Sequence, residues 1–500
     1  MKGPIAVVSV ALLVLAGCTP GTAPTTPAPT TASTAATSAA PSAAPVVLGE
    51  AYDLPADRDV AQWGEPLASK VGRKLSDRSL NMSRQGWRVD LMGVYRLADD
   101  RVLAEFRLNA DNAVRPDMQV WQDPAYDAWF HEGDRRNGGY YGKVWEFADV
   151  RLTVTGDDAS YRAVRTATGY CLCSMAVTYP KGRGDVPAYV VVSAPKGATS
   201  VDLSLRDVGT FAGVAVSPTM PTRSVVPLGS GYQLRLLTAS RPASGGITVR
   251  FAIEAPEAGI EGTTFVTRRP DQLGSAPWQS LNDYAPSFQA LVAVDPGGVW
   301  GGWPKPGTKG ACDSCTELDL AGRGKAVEGE ITVPDPGSPD VLVAPTVGWP
   351  FSAVAAAGSA TRSDAAVRYR WRQVTTGATI GDGEIDLDTA VLFNIDKATL
   401  TGKANAVLDR AAKALQGQEG RSVSIVGHTD STGSTAHNQN LSERRAAAVR
   451  AALQQRLGTG WTFSVAGRGE SDPRVKESGL SGDKLTRARA LNRRVEVSVK

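Results

Sequence analysis

Cysteine and histidine are scarce in this chain of 500 residues, with five of the first and three of the second. That leaves too few thiols for a disulfide scaffold and too little imidazole for a histidine-built metal site. Strong charge of one sign is missing as well: 54 Lys and Arg stand against 51 Asp and Glu, a net of +3. Nothing in that balance calls for nucleic acid or another polyelectrolyte partner. No long apolar run follows Ala16, which excludes a polytopic helical membrane protein. Catalytic signatures are also lacking. There is no G-x-S-x-G elbow, no H-E-x-x-H and no G-x-x-x-x-G-K-[ST] loop, so neither enzyme activity nor a metal or cofactor is expected. What is present is ordinary globular composition, 42% hydrophobic and 21% charged, on a chain long enough for several domains.

The N-terminus has the layout of an export signal. Lys2 precedes an apolar segment, Ile5 to Ala16, interrupted only by Ser9. That is an h-region in length and too short to span a bilayer. It ends Leu15-Ala16-Gly17-Cys18, and small residues directly before a cysteine resemble the lipobox of bacterial lipoproteins. The resemblance implies a signal peptide at 1–17 and lipid on the sulfur of Cys18, with two or more acyl chains giving a stable membrane hold. Residues 18–45 are then the lipidated cysteine and a tether. Thr19 to Pro45 holds only Thr, Pro, Ala, Ser and one Gly, so it cannot build a core and reads as a disordered spacer. Fully extended, it would reach about 80 Å at about 3.1 Å per residue.

The middle contains two similar stretches. Trp87-Arg-Val-Asp-Leu-Met and Val102-Leu-Ala-Glu-Phe-Arg-Leu108 correspond to Tyr232-Gln-Leu-Arg-Leu-Leu and Ile247-Thr-Val-Arg-Phe-Ala-Ile253. All alternate with period two, as half-buried strands do. The spacing predicts tandem all-β, sandwich-like modules at 47–220 and 221–358, the second a repeat of the first. Each carries a cysteine pair, Cys171 with Cys173 in the first and Cys312 with Cys315 in the second. A four-thiolate zinc site and disulfides are both open from spacing; export favours disulfides within each pair. Trp121, Tyr126, Trp129, Phe130, Tyr140, Tyr141 and Trp145 would suit a core or a surface for glycan or protein. Residues 359–383 form a connector in which Arg368, Arg370 and Arg372 share one face of an alternating strand. Its charges are expected to guard an exposed edge, with a basic rail for an anionic polymer as the alternative.

From residue 384 the pattern changes to α/β. Ile385 to Phe393, Ser422 to Val426, Trp461 to Val465 and Val495 to Val499 read as strands. Lys403 to Leu415 and His437 to Leu457 read as helices, giving the order βαβαββ with two helices on a mixed sheet. Asp430 falls in a strand-to-helix loop. Arg445 falls on the apolar stripe of the second helix, where a cation needs an anionic partner. Two readings stay open on position alone. Asp430 and Arg445 pair with each other, or together they hold a zwitterion that carries an ammonium and a carboxylate on one carbon.

Five motifs favour the second, which is compatible with the first in the unliganded state. Val391-Leu-Phe-Asn-Ile-Asp-Lys397, Gly427-His-Thr-Asp-Ser-Thr-Gly433, Asn438-Gln-Asn-Leu-Ser-Glu-Arg-Arg-Ala446, Gly467-Arg-Gly-Glu-Ser-Asp-Pro473 and Asn492-Arg-Arg-Val-Glu496 occur in register. Together they resemble the OmpA-like C-terminal, peptidoglycan-associated domain family. The resemblance implies non-covalent binding of a diaminopimelate-type peptidoglycan stem by Asp430 and Arg445, with Thr429 and Asn438 lining the pocket. His437 stands where that family commonly has an aromatic residue. The whole then reads as a lipoprotein of the cell envelope that joins a membrane to the wall. That membrane is the outer face of the cytoplasmic membrane or the outer membrane. The alternative is a surface adhesin acting through the β-modules on an envelope protein or glycan, with the wall domain as anchor.

Overall fold

The computed structural model describes residues 48, 50–55, 57–71, 88–109, 147, 150–166, 171–174, 185–205, 208–229, 231–255, 264–265, 291–295, 300–302, 318–319, 324–345, 348–381, 383–418 and 420–499. Cys18, the tether and the aromatic group at 121–145 lie outside these residues.

The alternating stretches fold as strands. In the first module Ala68–Val71, Arg88–Ala98, Arg101–Asn109 and Asp185–Ser193 form an antiparallel sheet in that order. A second run of strands has the order Gly209–Ala215, Ser200–Leu205, Val150–Thr153 and Ser160–Tyr161. Val89, Leu91, Phe106, Leu152 and Phe211 are buried together between them. Cys171 and Cys173 sit in the same core and are joined as a disulfide. The other disulfide expected from sequence, between Cys312 and Cys315, is not among the bonds the structure records: Cys312 and Cys315 both lie outside the described residues.

The second module repeats the order. Tyr232–Ser240, Ile247–Ala255 and Lys325–Val333 follow one another as 88–98, 101–109 and 185–193 do. Phe351–Ala355, Asp340–Pro345 and Leu291–Val294 match the strands of the other sheet. Leu234, Phe251, Ile253, Val343 and Trp349 fill this core.

Pairing crosses the boundaries expected from composition. Ala51–Asp53 pairs with Lys325–Val333, and Arg165–Thr166 pairs with Val367–Arg370. A further core joins Leu103, Tyr189 and Val191 of the first module to Val294, Leu342 and Ala344 of the second. Asp185–Ser193 is therefore covered on both faces, which is why it is apolar at nearly every position. Arg223 clamps buried Glu105 with two bonds of 2.6 and 2.8 Å. Burial pushes the Glu105 carboxyl up, and Arg223 opposes that push without cancelling it.

The arginine-striped segment is not the edge strand its alternation suggests. It breaks at Trp371 and serves two sheets. Val367–Arg370 lies between Trp300–Gly302 and Arg165–Thr166. Arg372–Thr375 lies between Ser160–Tyr161 and Ala378–Gly381. Both halves are paired on two sides, and Arg370 meets Glu384 at 2.6 Å in a partly exposed ion pair.

One ten-stranded sheet results. It begins with four strands of the first module and continues through Arg372–Thr375, Ala378–Gly381, Glu384–Asp388, Arg494–Val499, Ser422–His428 and Thr462–Gly469. Only the last two run parallel in this series, so the C-terminal part is a mixed sheet. Helices Ala404–Gln416 and Thr435–Leu457 pack on it, burying Val407, Leu408, Ala411, Leu415, Val449 and Leu453.

Two sequence expectations fail here. The strand begun at residue 384 stops at Asp388, whose carboxylate accepts the Ala390 N–H at 2.8 Å and starts a short helix, Thr389–Leu392. The structure also adds a helix at Gly482–Asn492, where the sequence pattern predicts none. Its buried side chains include Ala488 and Asn492 but no apolar stripe, so periodicity gives no signal.

Candidate functional site

The site forms where strand Ser422–His428 ends beneath the start of helix Thr435–Leu457. Gly427 allows that approach: a Cβ there would lie 2.2 Å from the carbonyl oxygen of Ser442. Gly467 does the same on the neighbouring strand, where a Cβ would meet Ser442 Oγ at 2.4 Å. Helix and sheet thus touch backbone to backbone. Ser442 Oγ accepts the Gly469 N–H at 2.9 Å, and the Thr429 N–H donates to Gly469 O at 2.9 Å. The chain leaves the strand as His428-Thr429-Asp430, held against the helix.

Ser434 caps the helix by accepting the His437 N–H at 3.3 Å. Asn438, 2% exposed, then staples the loop. Its amide donates to Asp430 O at 3.3 Å, to Thr432 O at 3.2 Å and to a Glu470 carboxylate oxygen. Asn438 shapes the loop with its side-chain donors already engaged.

Asp430 is 8% exposed. One carboxylate oxygen accepts the Thr432 N–H at 2.9 Å, and the other accepts Arg493 Nη1 at 2.7 Å. Its direct cationic partner is therefore Arg493, not Arg445. Alternation along the last strand would put Arg493 inward and Arg494 outward. The reverse is found, because the strand starts only at Arg494 and Arg493 closes the preceding helix. Arg494 is buried and bonds Glu496 at 2.6 Å, while the Arg493 side chain stays 35% exposed beside Asp430. The helix at 482–492 that places Arg493 has no apolar signature, so no sequence signal short of the family motif marks it.

Arg445 is 5% exposed. Its Nε donates to Lys397 O at 3.0 Å and Nη2 to Asn394 O at 3.5 Å, with the guanidinium 5.3 Å from the Phe393 ring centre. Among the described residues it makes no ion pair with a carboxylate. Burial lowers its pKa; Asp396 and Asp430 pull it back up, and Arg493 pushes it down. The loop that caps Arg445 carries Asp396 at φ 58°, whose carboxylate meets His437 Nε2 at 2.5 Å, and Ile395, almost wholly exposed.

Thr429 is buried, and its hydroxyl has no hydrogen-bond partner among the described residues. His428 is buried next to it, with Nε2 3.6 Å from Glu496. Burial pushes the Glu496 carboxyl up, but His428 and Arg494 outweigh it and hold the group at about 2. Asp396, Asp430, Arg493 and Arg445 thus share one electrostatic neighbourhood.

Residues 392–487 match the profile of the OmpA family. This stretch is an OmpA-family domain. It is 38% identical over 110 residues to outer membrane porin F of Pseudomonas aeruginosa, covering 22% of this chain and 30% of that protein. It is 35% identical over 107 residues to outer membrane protein A of Bordetella avium, covering 21% of this chain and 52% of that one. The chain thus spans at most about half the length of these curated relatives. Among solved structures it is similar to the peptidoglycan-associated lipoprotein of Burkholderia pseudomallei. There the identity is 28% and the TM-score 0.19, over 22% of this chain and 88% of that one.

Proposed function

We propose that this chain is an envelope lipoprotein that grips peptidoglycan non-covalently through its OmpA-like domain and so links a membrane to the cell wall. The observation that carries the reading is the state of Arg445. Among the described residues it is a buried cation held by backbone carbonyls and an aromatic face, beside an ionisable pair, Asp430 and Arg493. A buried cation that no carboxylate bonds directly is placed to take an anion from outside. The free end of diaminopimelate supplies one, together with an ammonium on the same carbon. The ammonium goes to Asp430 and the carboxylate to Arg445, as charge-assisted hydrogen bonds. Arg493 holds Asp430 in position and keeps a half-exposed guanidinium next to the incoming carboxylate.

Binding, not catalysis, is the role this arrangement supports. Lipid on Cys18 would provide the membrane end, and the tether and β-modules the span between. Titration calorimetry of the purified chain with meso-diaminopimelate tests the clamp. Asp430→Ala and Arg445→Ala should each weaken binding by about ten- to a hundred-fold, the worth of one charge-assisted contact. Unchanged affinity in both would end this reading. Membrane fractionation of Cys18→Ala tests the anchor: the protein should move to the soluble fraction.

A further inference from the structure

A cavity of about 470 Å³ opens between the Thr429–Ser431 turn, the segment 470–478 and the last helix. Neither Asp430 nor Arg445 lines it, although Thr429 and Ser431 flank Asp430 in the chain. The volume is far above the roughly 30 Å³ of a water and falls in the range of ligand pockets, about 300–1,000 Å³.

Its wall is mixed. Leu485 and Pro473 give apolar surface, and Lys476 stands at the exposed rim. The two lining carboxylates are already engaged. Glu477 accepts Ser431 Oγ at 2.6 Å, Asn492 Nδ2 at 2.9 Å and Arg489 Nε at 3.0 Å. Glu470 accepts Thr435 Oγ1 at 2.9 Å and the Asn438 amide. These bonds fix both carboxylates in the wall. Thr429 differs: it lines the cavity, is 4% exposed, and its hydroxyl has no partner among the described residues. A buried hydroxyl left unpaired in native structure points to a partner that arrives with a ligand.

We propose that this cavity is a second subsite, which takes the acidic stem-peptide residue next to the diamino acid. The inference rests on the clamp reading above and extends it. A peptide amide meets the Thr429 hydroxyl, the carbon chain lies on Leu485 and Pro473, and the free carboxylate faces Lys476. Because Thr429 and Asp430 are adjacent, a ligand held by Asp430 has its neighbouring residue within reach of the cavity.

The test is calorimetry on the full chain with two ligands, free meso-diaminopimelate and the tripeptide alanyl-γ-glutamyl-diaminopimelate. Wild type should bind the tripeptide at least about five-fold tighter than the free diamino acid, the worth of one hydrogen bond. Leu485→Trp fills the cavity and Lys476→Glu reverses the rim charge. Each should keep its affinity for the free diamino acid, which also reports a folded clamp, and lose the tripeptide gain. Equal affinity of wild type for both ligands, or a gain that survives in both variants, overturns the subsite. If wild type fails to bind even the free diamino acid, the clamp itself falls and the subsite with it.

Discussion

Asp430 and Arg445 look like a matched pair in sequence, yet each has its own partners in the fold. Asp430 is neutralised by Arg493, and Arg445 is left with carbonyl oxygens. Arg445→Lys therefore predicts weakened wall binding, because an ammonium cannot present the two-pronged donor set that a carboxylate accepts. Loss of more than about ten-fold in diaminopimelate affinity, with the melting temperature within a few degrees, is the expected calorimetric result. Glu496 gives a pH prediction. Its folded pKa lies at about 2, below its ordinary 4.5, so the unfolded chain binds more protons between those values. The stability it contributes is whole above about pH 4.5 and is lost as pH falls toward 2. Since its side chain is 37% exposed, screening trims that contribution to about 1 kcal/mol. Denaturant titrations of Glu496→Gln should show a loss of about that size at pH 7, narrowing at pH 3. The motifs single out Asp430 and Arg445, and the fold places both near Arg493. Arg493 itself was not legible in the sequence, since counting alternation back from the last strand treats a helix cap as a strand residue.

Among the elements, the contact of helix Thr435–Leu457 with the sheet decides the site. Gly427→Ala would put a methyl within 2.2 Å of Ser442 O and lift the helix that carries Asn438 and Arg445. A loss of about 1–3 kcal/mol is expected, together with weaker diaminopimelate binding, by denaturation and calorimetry on the same sample. Equal stability would show that the helix accommodates the methyl. The amphipathic helix at 404–416 was readable because its apolar residues recur at helical spacing. The helix at 482–492 was not, because tertiary contacts of Ala488, Arg489 and Asn492 hold it instead of an apolar face. The arginine stripe misled for a related reason: alternation reports two faces of a strand and says nothing of what pairs along its sides.

Across the whole molecule, the C-terminal domain does not hang on a linker. Its sheet runs on into the first β-module through Arg372–Thr375, and Trp371 packs against both cores. Arg410 adds a bond to Asp158 at 2.7 Å. Trp371→Ala should lower stability by about 2–4 kcal/mol and pull apart the unfolding of the two cores, which this shared residue is expected to couple in wild type. Calorimetric scans would show it, and a single transition in the variant would mean the two bodies do not share that residue's energy. The repeated strand order of the modules could be traced in the sequence, whereas this joint could not, since pairing of residues 160–161 with 373–374 leaves no local pattern. The central claim, that the chain holds the cell wall through Asp430 and Arg445, is tested most directly by co-sedimentation of the full chain with purified diaminopimelate-type sacculi. Wild type should pellet with the sacculi, and folded Asp430→Ala and Arg445→Ala should stay in the supernatant. Folded wild type remaining in the supernatant, or both variants pelleting as wild type does, would contradict it.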